Sequence, residues 1–115
     1  MLECFDGIVR SSFMEVKPSD AQQRVAGLTA SAAAKVLRIQ VPSIWFFYRR
    51  RYEKLMGFTT DEGICIAADI NHMDTARAVL HEMRHAWQRQ SPEWRYRSQT
   101  LRERDAILFE LGWPR

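Results

Sequence analysis

The chain has 115 residues, 46% hydrophobic and 27% charged, with a formal net charge of +3. This length suits one domain, residues 1–115, with a modest core, and the composition excludes a disordered or fibrous chain. No stretch reaches the roughly 18–20 apolar residues that cross a bilayer, so no membrane role is expected.

No basic region followed by an apolar run opens the sequence, so no secretory signal is read there. Cys4 and Cys65 stand far apart and form no C-x-x-C pair, which fits a reducing, cytoplasmic setting. Arginines cluster at Arg49-Arg50-Arg51 and at Arg95, Arg97, Arg102 and Arg104. They read as solvated surface, with an acidic partner or nucleic acid as the alternative.

In chain order, residues 1–16 alternate loosely and read as a short strand or a docked tail. Residues 17–42 predict a helix: Ser19 suits the N-cap and Asp20 the first turn, and Val25, Leu28, Ala32, Val36 and Ile39 recur at helical spacing. Pro42 closes it, and its alanines permit close packing against a neighbour. Residues 43–50 are aromatic and suit a strand, residues 55–60 form a weaker one, residues 60–63 have turn chemistry with Gly63 as pivot, and residues 64–70 read as a buried strand. Together they predict a three-strand meander.

A second helix is expected over residues 75–90, capped by Asp74 and stopped by Ser91-Pro92. A polar loop over residues 91–99 leads to a third helix over residues 101–111, opened by Thr100 and ended by Gly112 and Pro114. The fold class expected is α+β: a small three-stranded sheet packed against an N-terminal helix and two C-terminal helices.

The second helix carries His81-Glu82-Met83-Arg84-His85, an H-E-x-x-H pattern. Residues four apart share one face of a helix, so His81 and His85 can hold one metal ion between them. Glu82 then stands beside the ion, where a general base takes a proton from water. Val79, Leu80, Met83, Ala86 and Trp87 form a second face suited to burial. The pattern alone is weak, because unrelated matches exist and a zinc enzyme supplies a third ligand.

No histidine follows His85, and Ser91 stands where one zinc-peptidase class has its third histidine. His72 precedes the helix and lacks the geometry. The third ligand is therefore expected to be a carboxylate, from Glu93, Glu103, Asp105 or Glu110. Glu93 lies too close behind the helix stop to fold back. Glu103 opens the next helix, and the small Ala106 one turn on would let the two helices approach. Asp105 is expected to point elsewhere with Leu101 and Leu108, and Glu110 lies on the Glu103 face two turns further on. Thr100-x-x-Glu103 is also a capping box, so Glu103 has a structural alternative. Beside an intact H-E-x-x-H the ligand role is the expectation.

The stretches "LHEMRHAWQ" and "ERDAILF" resemble the paired helices of small glutamate-zincins, which include ImmA/IrrE-type metallopeptidases and single-domain minigluzincins. In that family H-E-x-x-H is followed by a short loop and a helix beginning E-x-x-A-x-x-F, matched here by Glu103, Ala106 and Phe109. The resemblance covers residues 64–111 well and the preceding elements more loosely. It implies a zincin-like α+β core, one zinc ion held by His81, His85 and Glu103, and hydrolysis of a peptide or protein substrate with Glu82 as the catalytic base. Glu110 departs from the pattern, standing where a small residue usually follows the phenylalanine.

In zincins the strand before the motif helix forms the upper edge of the cleft, which maps to residues 64–70. Cys65 within it is read as a small buried hydrophobe. Tyr96, Arg95, Arg97 and His72 are open candidates for the oxyanion donor. Trp45, Phe46, Phe47 and Tyr48 read as core plus one exposed face. Two alternatives stand beside the peptidase: a metal-binding regulatory or interaction module without catalysis, and a basic module that associates with nucleic acid.

Overall fold

The computed structural model describes residues 18–49 and 54–114. The strand or docked tail expected over residues 1–16 lies outside them, as do Arg50 and Arg51. The described residues form an α+β fold in the order α1 (Asp20–Leu37), β1 (Ser43–Phe47), β2 (Gly57–Thr60), β3 (Gly63–Ala67), α2 (His72–Gln90) and α3 (Gln99–Leu111). None of these helices is long and apolar enough to cross a membrane.

Helix α1 starts where its cap dictates. The Ser19 hydroxyl accepts from the Gln22 N–H at 3.0 Å, and the helix ends with Arg38 in the left-handed region, ahead of Pro42. Its buried face is not the one formed by Leu28, Ala32 and Val36. Leu28 and Val36 are 68% and 63% exposed, and Ala26, Ala30, Ala33, Ala34 and Leu37 are buried instead. The reason is the neighbour: α1 packs against α2, and a stripe of alanines lets two helix axes approach where Leu and Val would hold them apart.

The three expected strands are present, but they do not form a meander. The order is β1-β3-β2, with β1 parallel and β2 antiparallel to β3. β3 is thus the centre of a small mixed sheet. All five of its residues are buried, as expected for a strand covered on both faces. Ile64 and Ile66 join Phe46 in a core shared with α1 and α2, and Cys65 and Ala67 pack with Phe47 on the opposite face. Gly63 begins the central strand because a Cβ there would lie 2.3 Å from the Ser43 carbonyl oxygen.

Helix α2 begins at His72, earlier than expected, and its cap is Asn71 rather than Asp74. The Asn71 side chain accepts from the Asp74 N–H at 2.8 Å, which leaves Asp74 in the first turn where a negative charge favours the helix dipole. Gln22, only 3% exposed, joins three elements: its Nε2 donates to the Ala67 carbonyl at 2.9 Å and to Thr75 Oγ1 at 3.1 Å.

Helix α3 is capped by Ser98, whose hydroxyl accepts from the Leu101 N–H at 3.3 Å. Thr100 lies within the helix, so the expected capping box is not formed and Glu103 is free of that duty. Ala106, fully buried, is where α3 meets α2. Arg84 of α2 fixes the pairing. Its guanidinium lies 4.0 Å from the Trp87 ring centre and 5.2 Å from that of Phe109, and its Nε donates to Asp105 at 2.7 Å.

Candidate metal centre

The apolar face of α2, with Val79, Leu80, Met83 and Ala86 buried, seats the helix on the core. That seating turns His81, Glu82 and His85 toward α3 and β2. They line an open cleft of about 560 Å³ with residues 54–59 on one side and Gln99, Arg102, Glu103 and Glu110 on the other.

Three of the expected ligands converge there. His81 Nε2 lies 2.8 Å from Glu103 Oε1, and His85 Nε2 lies 2.8 Å from Glu103 Oε2. The two Nε2 atoms are 3.2 Å apart. Ligand atoms about 2.0–2.1 Å from a tetrahedral ion stand roughly 3.3–3.4 Å apart, so the spacing of the histidine nitrogens already matches two corners of such a site. His81, His85 and Glu103 form a group able to hold a metal ion.

The other ring nitrogens show which atoms are available. Gln88, 1% exposed, donates through Nε2 to the Arg102 carbonyl at 2.9 Å and to Asp105 Oδ2 at 2.8 Å. Its Oε1 must then accept, and it accepts from His85 Nδ1 at 2.8 Å. His81 Nδ1 likewise donates to Glu110 Oε1 at 2.9 Å. A neutral imidazole has one N–H, so both rings present an Nε2 lone pair to the Glu103 carboxylate. Three converging acceptors repel one another unless a cation, proton or metal, lies between them. The two nitrogens and one oxygen suit a borderline-soft divalent metal.

Burial alone would lower the pKa of His81. The negative charge of Glu82, the hydrogen bond donated to Glu110 and the Glu103 carboxylate outweigh it and hold the pKa above its ordinary value. Glu82 is 6% exposed, and burial pushes its pKa up against the pull of Thr59 and the two histidines. Thr59 Oγ1 sits 2.7 Å from Glu82 Oε1 and 3.0 Å from the Glu82 carbonyl oxygen. Gly57 makes room for this carboxylate, since a Cβ there would lie 3.1 Å from Glu82 Cγ.

The remaining carboxylate candidates stand apart from the ligand group. Glu93 is exposed and pairs with Arg97. Asp105 does not share the outlook of Leu101 and Leu108, which are exposed; it turns inward to Arg84 and Gln88. Burial, which would raise its pKa, is outweighed by those two hydrogen bonds, and the value is lowered. Tyr96, Arg95, Arg97 and His72 do not line the cleft.

Sequence reasoning assigned no role to Gln88 or Thr59, and weighed Glu110 only as an alternative third ligand. Gln88 follows His85 by three and Glu110 follows Glu103 by seven, so helical spacing was a usable signal for both. Thr59 comes from a distant strand, and no local signal marks it. The chain matches no protein-family model, no curated protein and no solved structure.

Proposed function

We propose that the protein is a zinc metallopeptidase of glutamate-zincin type, with zinc held by His81, His85 and Glu103 and with Glu82 as general base. The observation that carries this reading is the convergence of two Nε2 lone pairs and one carboxylate, with a buried glutamate beside them in an open cleft. When bound there, zinc supplies Lewis acidity toward water and a peptide carbonyl. Thr59 anchors Glu82 through Oε1, which leaves Oε2 to take the proton of the attacking water and pass it to the leaving amine nitrogen. Water is thereby split across the peptide C–N bond. The raised pKa of Glu82 suits a group that must both accept and return a proton.

The substrate strand belongs on β2. The expected edge, residues 64–70, contains the central strand β3, which is paired on both sides and has no free edge to offer. Among the described residues β2 pairs with β3, and Gly57, Phe58 and Thr59 line the cleft. An extended peptide lying in the cleft would run alongside β2.

The test is zinc content together with cleavage of a peptide library by wild type and Glu82→Gln. The expected result is one zinc per chain in both and a fall in turnover of about 10²–10⁴-fold in the variant. Equal cleavage at equal zinc occupancy removes Glu82 from the role of base. Zinc uptake without cleavage of any library member by wild type favours a metal-binding module over an enzyme.

A further inference from the structure

Glu110 breaks the sequence pattern of the second motif helix, and the structure shows where its side chain goes. Oε1 accepts from His81 Nδ1 at 2.9 Å, and Oε2 accepts from Arg77 Nε at 3.1 Å. The Glu110 side chain is 12% exposed, against 50% for Arg77. Arg77 lies one turn before His81 on α2, so α2 supplies both the ring that Glu110 orients and the cation that holds Glu110 in place. The other histidine is supported differently: His85 Nδ1 donates to a neutral amide, the Gln88 Oε1.

We infer that Glu110, clamped by Arg77, is a positioning residue for His81: it fixes the ring so that Nε2 faces the metal and makes His81 the more strongly donating of the two histidine ligands. The inference rests on the metal reading above. A carboxylate that accepts the outer N–H of a ligating imidazole fixes its tautomer and raises its basicity, and a neutral amide does so less. Helix α3 then contributes to the centre twice, through Glu103 directly and through Glu110 one shell out, two turns apart on the same face.

The experiment measures zinc affinity of the full chain by competition with a chromophoric chelator, for wild type, Glu110→Ala, Glu110→Gln and Arg77→Gln. Imidazole nitrogen–proton correlation spectra of the zinc-loaded proteins are recorded alongside. Glu110→Ala should lose about 10–100-fold in affinity. Glu110→Gln, which keeps an acceptor but no charge, should recover part of that loss, and Arg77→Gln should lose less than Glu110→Ala. The His81 Nδ1–H signal should shift in all three variants while the His85 signal stays in place, a selectivity that general loosening of the fold would not produce.

Affinity of Glu110→Ala within about threefold of wild type, or equal movement of both histidine signals, overturns the inference and leaves the metal site standing. A wild-type chain that takes up no zinc overturns the metal reading and the inference with it. Should Glu110→Ala fail to fold, Arg77→Gln, altered at a half-exposed position, decides by the same two readouts.

Discussion

His81 sits between two carboxylates, with Nε2 facing Glu103 and Nδ1 facing Glu110. In the metal-free chain its protonated form donates to both, and the negative charge of Glu82 together with these two carboxylates raises its pKa in spite of burial. The sign of the linkage follows. A raised folded-state pKa gives stability that is fully present below the unfolded value of about 6.5 and is lost as pH rises through the folded value. A metal ion needs the Nε2 lone pair and competes with that proton, so zinc affinity should run the other way, weakening as pH falls through the raised value. Chelator competition across pH, with calorimetry in buffers of different ionisation enthalpy, should show proton release on binding in that window. A pH-independent affinity with no proton release there would remove His81 from the ligand set. Gly57 offers a second test at this scale. A Cβ would meet the Cys65 carbonyl oxygen at 2.8 Å and Glu82 Cγ at 3.1 Å, so Gly57→Ala should cost about 1–3 kcal/mol. The measurement is chemical denaturation, and an unchanged midpoint would show that β2 yields more easily than its backbone contacts indicate.

At the scale of elements, the helix caps give the sharpest test of how α3 is built. Ser98→Ala should cost about 0.5–2 kcal/mol, because Ser98 satisfies the Leu101 N–H. Thr100→Ala should stay within about 0.5 kcal/mol, and the opposite order would restore the capping box at Thr100-x-x-Glu103. The same helix separates its acids: Glu103→Ala should lose the metal, while Asp105→Ala should keep it and lose stability through the orphaned Arg84. Metal stoichiometry and melting curves of the two variants check both. The helices themselves were legible in sequence because Ser19, Pro42, Ser91-Pro92 and Gly112 punctuate the chain. The buried face of α1 was not, because hydrophobic periodicity weighs Leu28 and Val36 above alanines, whereas close helix packing selects small residues. The strands were legible from their aromatic and β-branched content. Their order was not, since pairing Ser43 with Gly63 in parallel is a long-range choice that no local pattern encodes. The grouping of His81, His85 and Glu103 was legible because one helix face, or one short connection, brings these side chains together. Thr59 reaches Glu82 only through the tertiary fold.

For the molecule as a whole, the placement of the site would make a bound metal a structural tie between helices. Helix α2 is seated on α1 and on the sheet by a continuous core. Helix α3 has a single fully buried residue, Ala106, and leaves Leu101, Ile107, Leu108 and Leu111 substantially exposed. Its attachment to α2 depends on Ala106, Phe109, the Arg84–Asp105 pair and the polar contacts around the two histidines. A metal that joins His81 and His85 of α2 to Glu103 of α3 would therefore cross a seam to which α3 contributes a single buried residue. Binding to the folded state alone adds about 2.7 kcal/mol at a free concentration a hundred times Kd. For a chain of this size that corresponds to a rise in Tm of roughly 10 °C. The gain should also be unevenly distributed. Amide hydrogen exchange reports local opening, so zinc should slow exchange most in α3 and in the turn of α2 around His85. The buried alanine face of α1 should change only to the extent that global stability changes. Glu103→Ala should abolish both the rise in Tm and the extra protection of α3. Uniform protection across α1, α2 and α3, or protection that survives in Glu103→Ala, would mean that the metal does not bridge the two helices as the geometry requires.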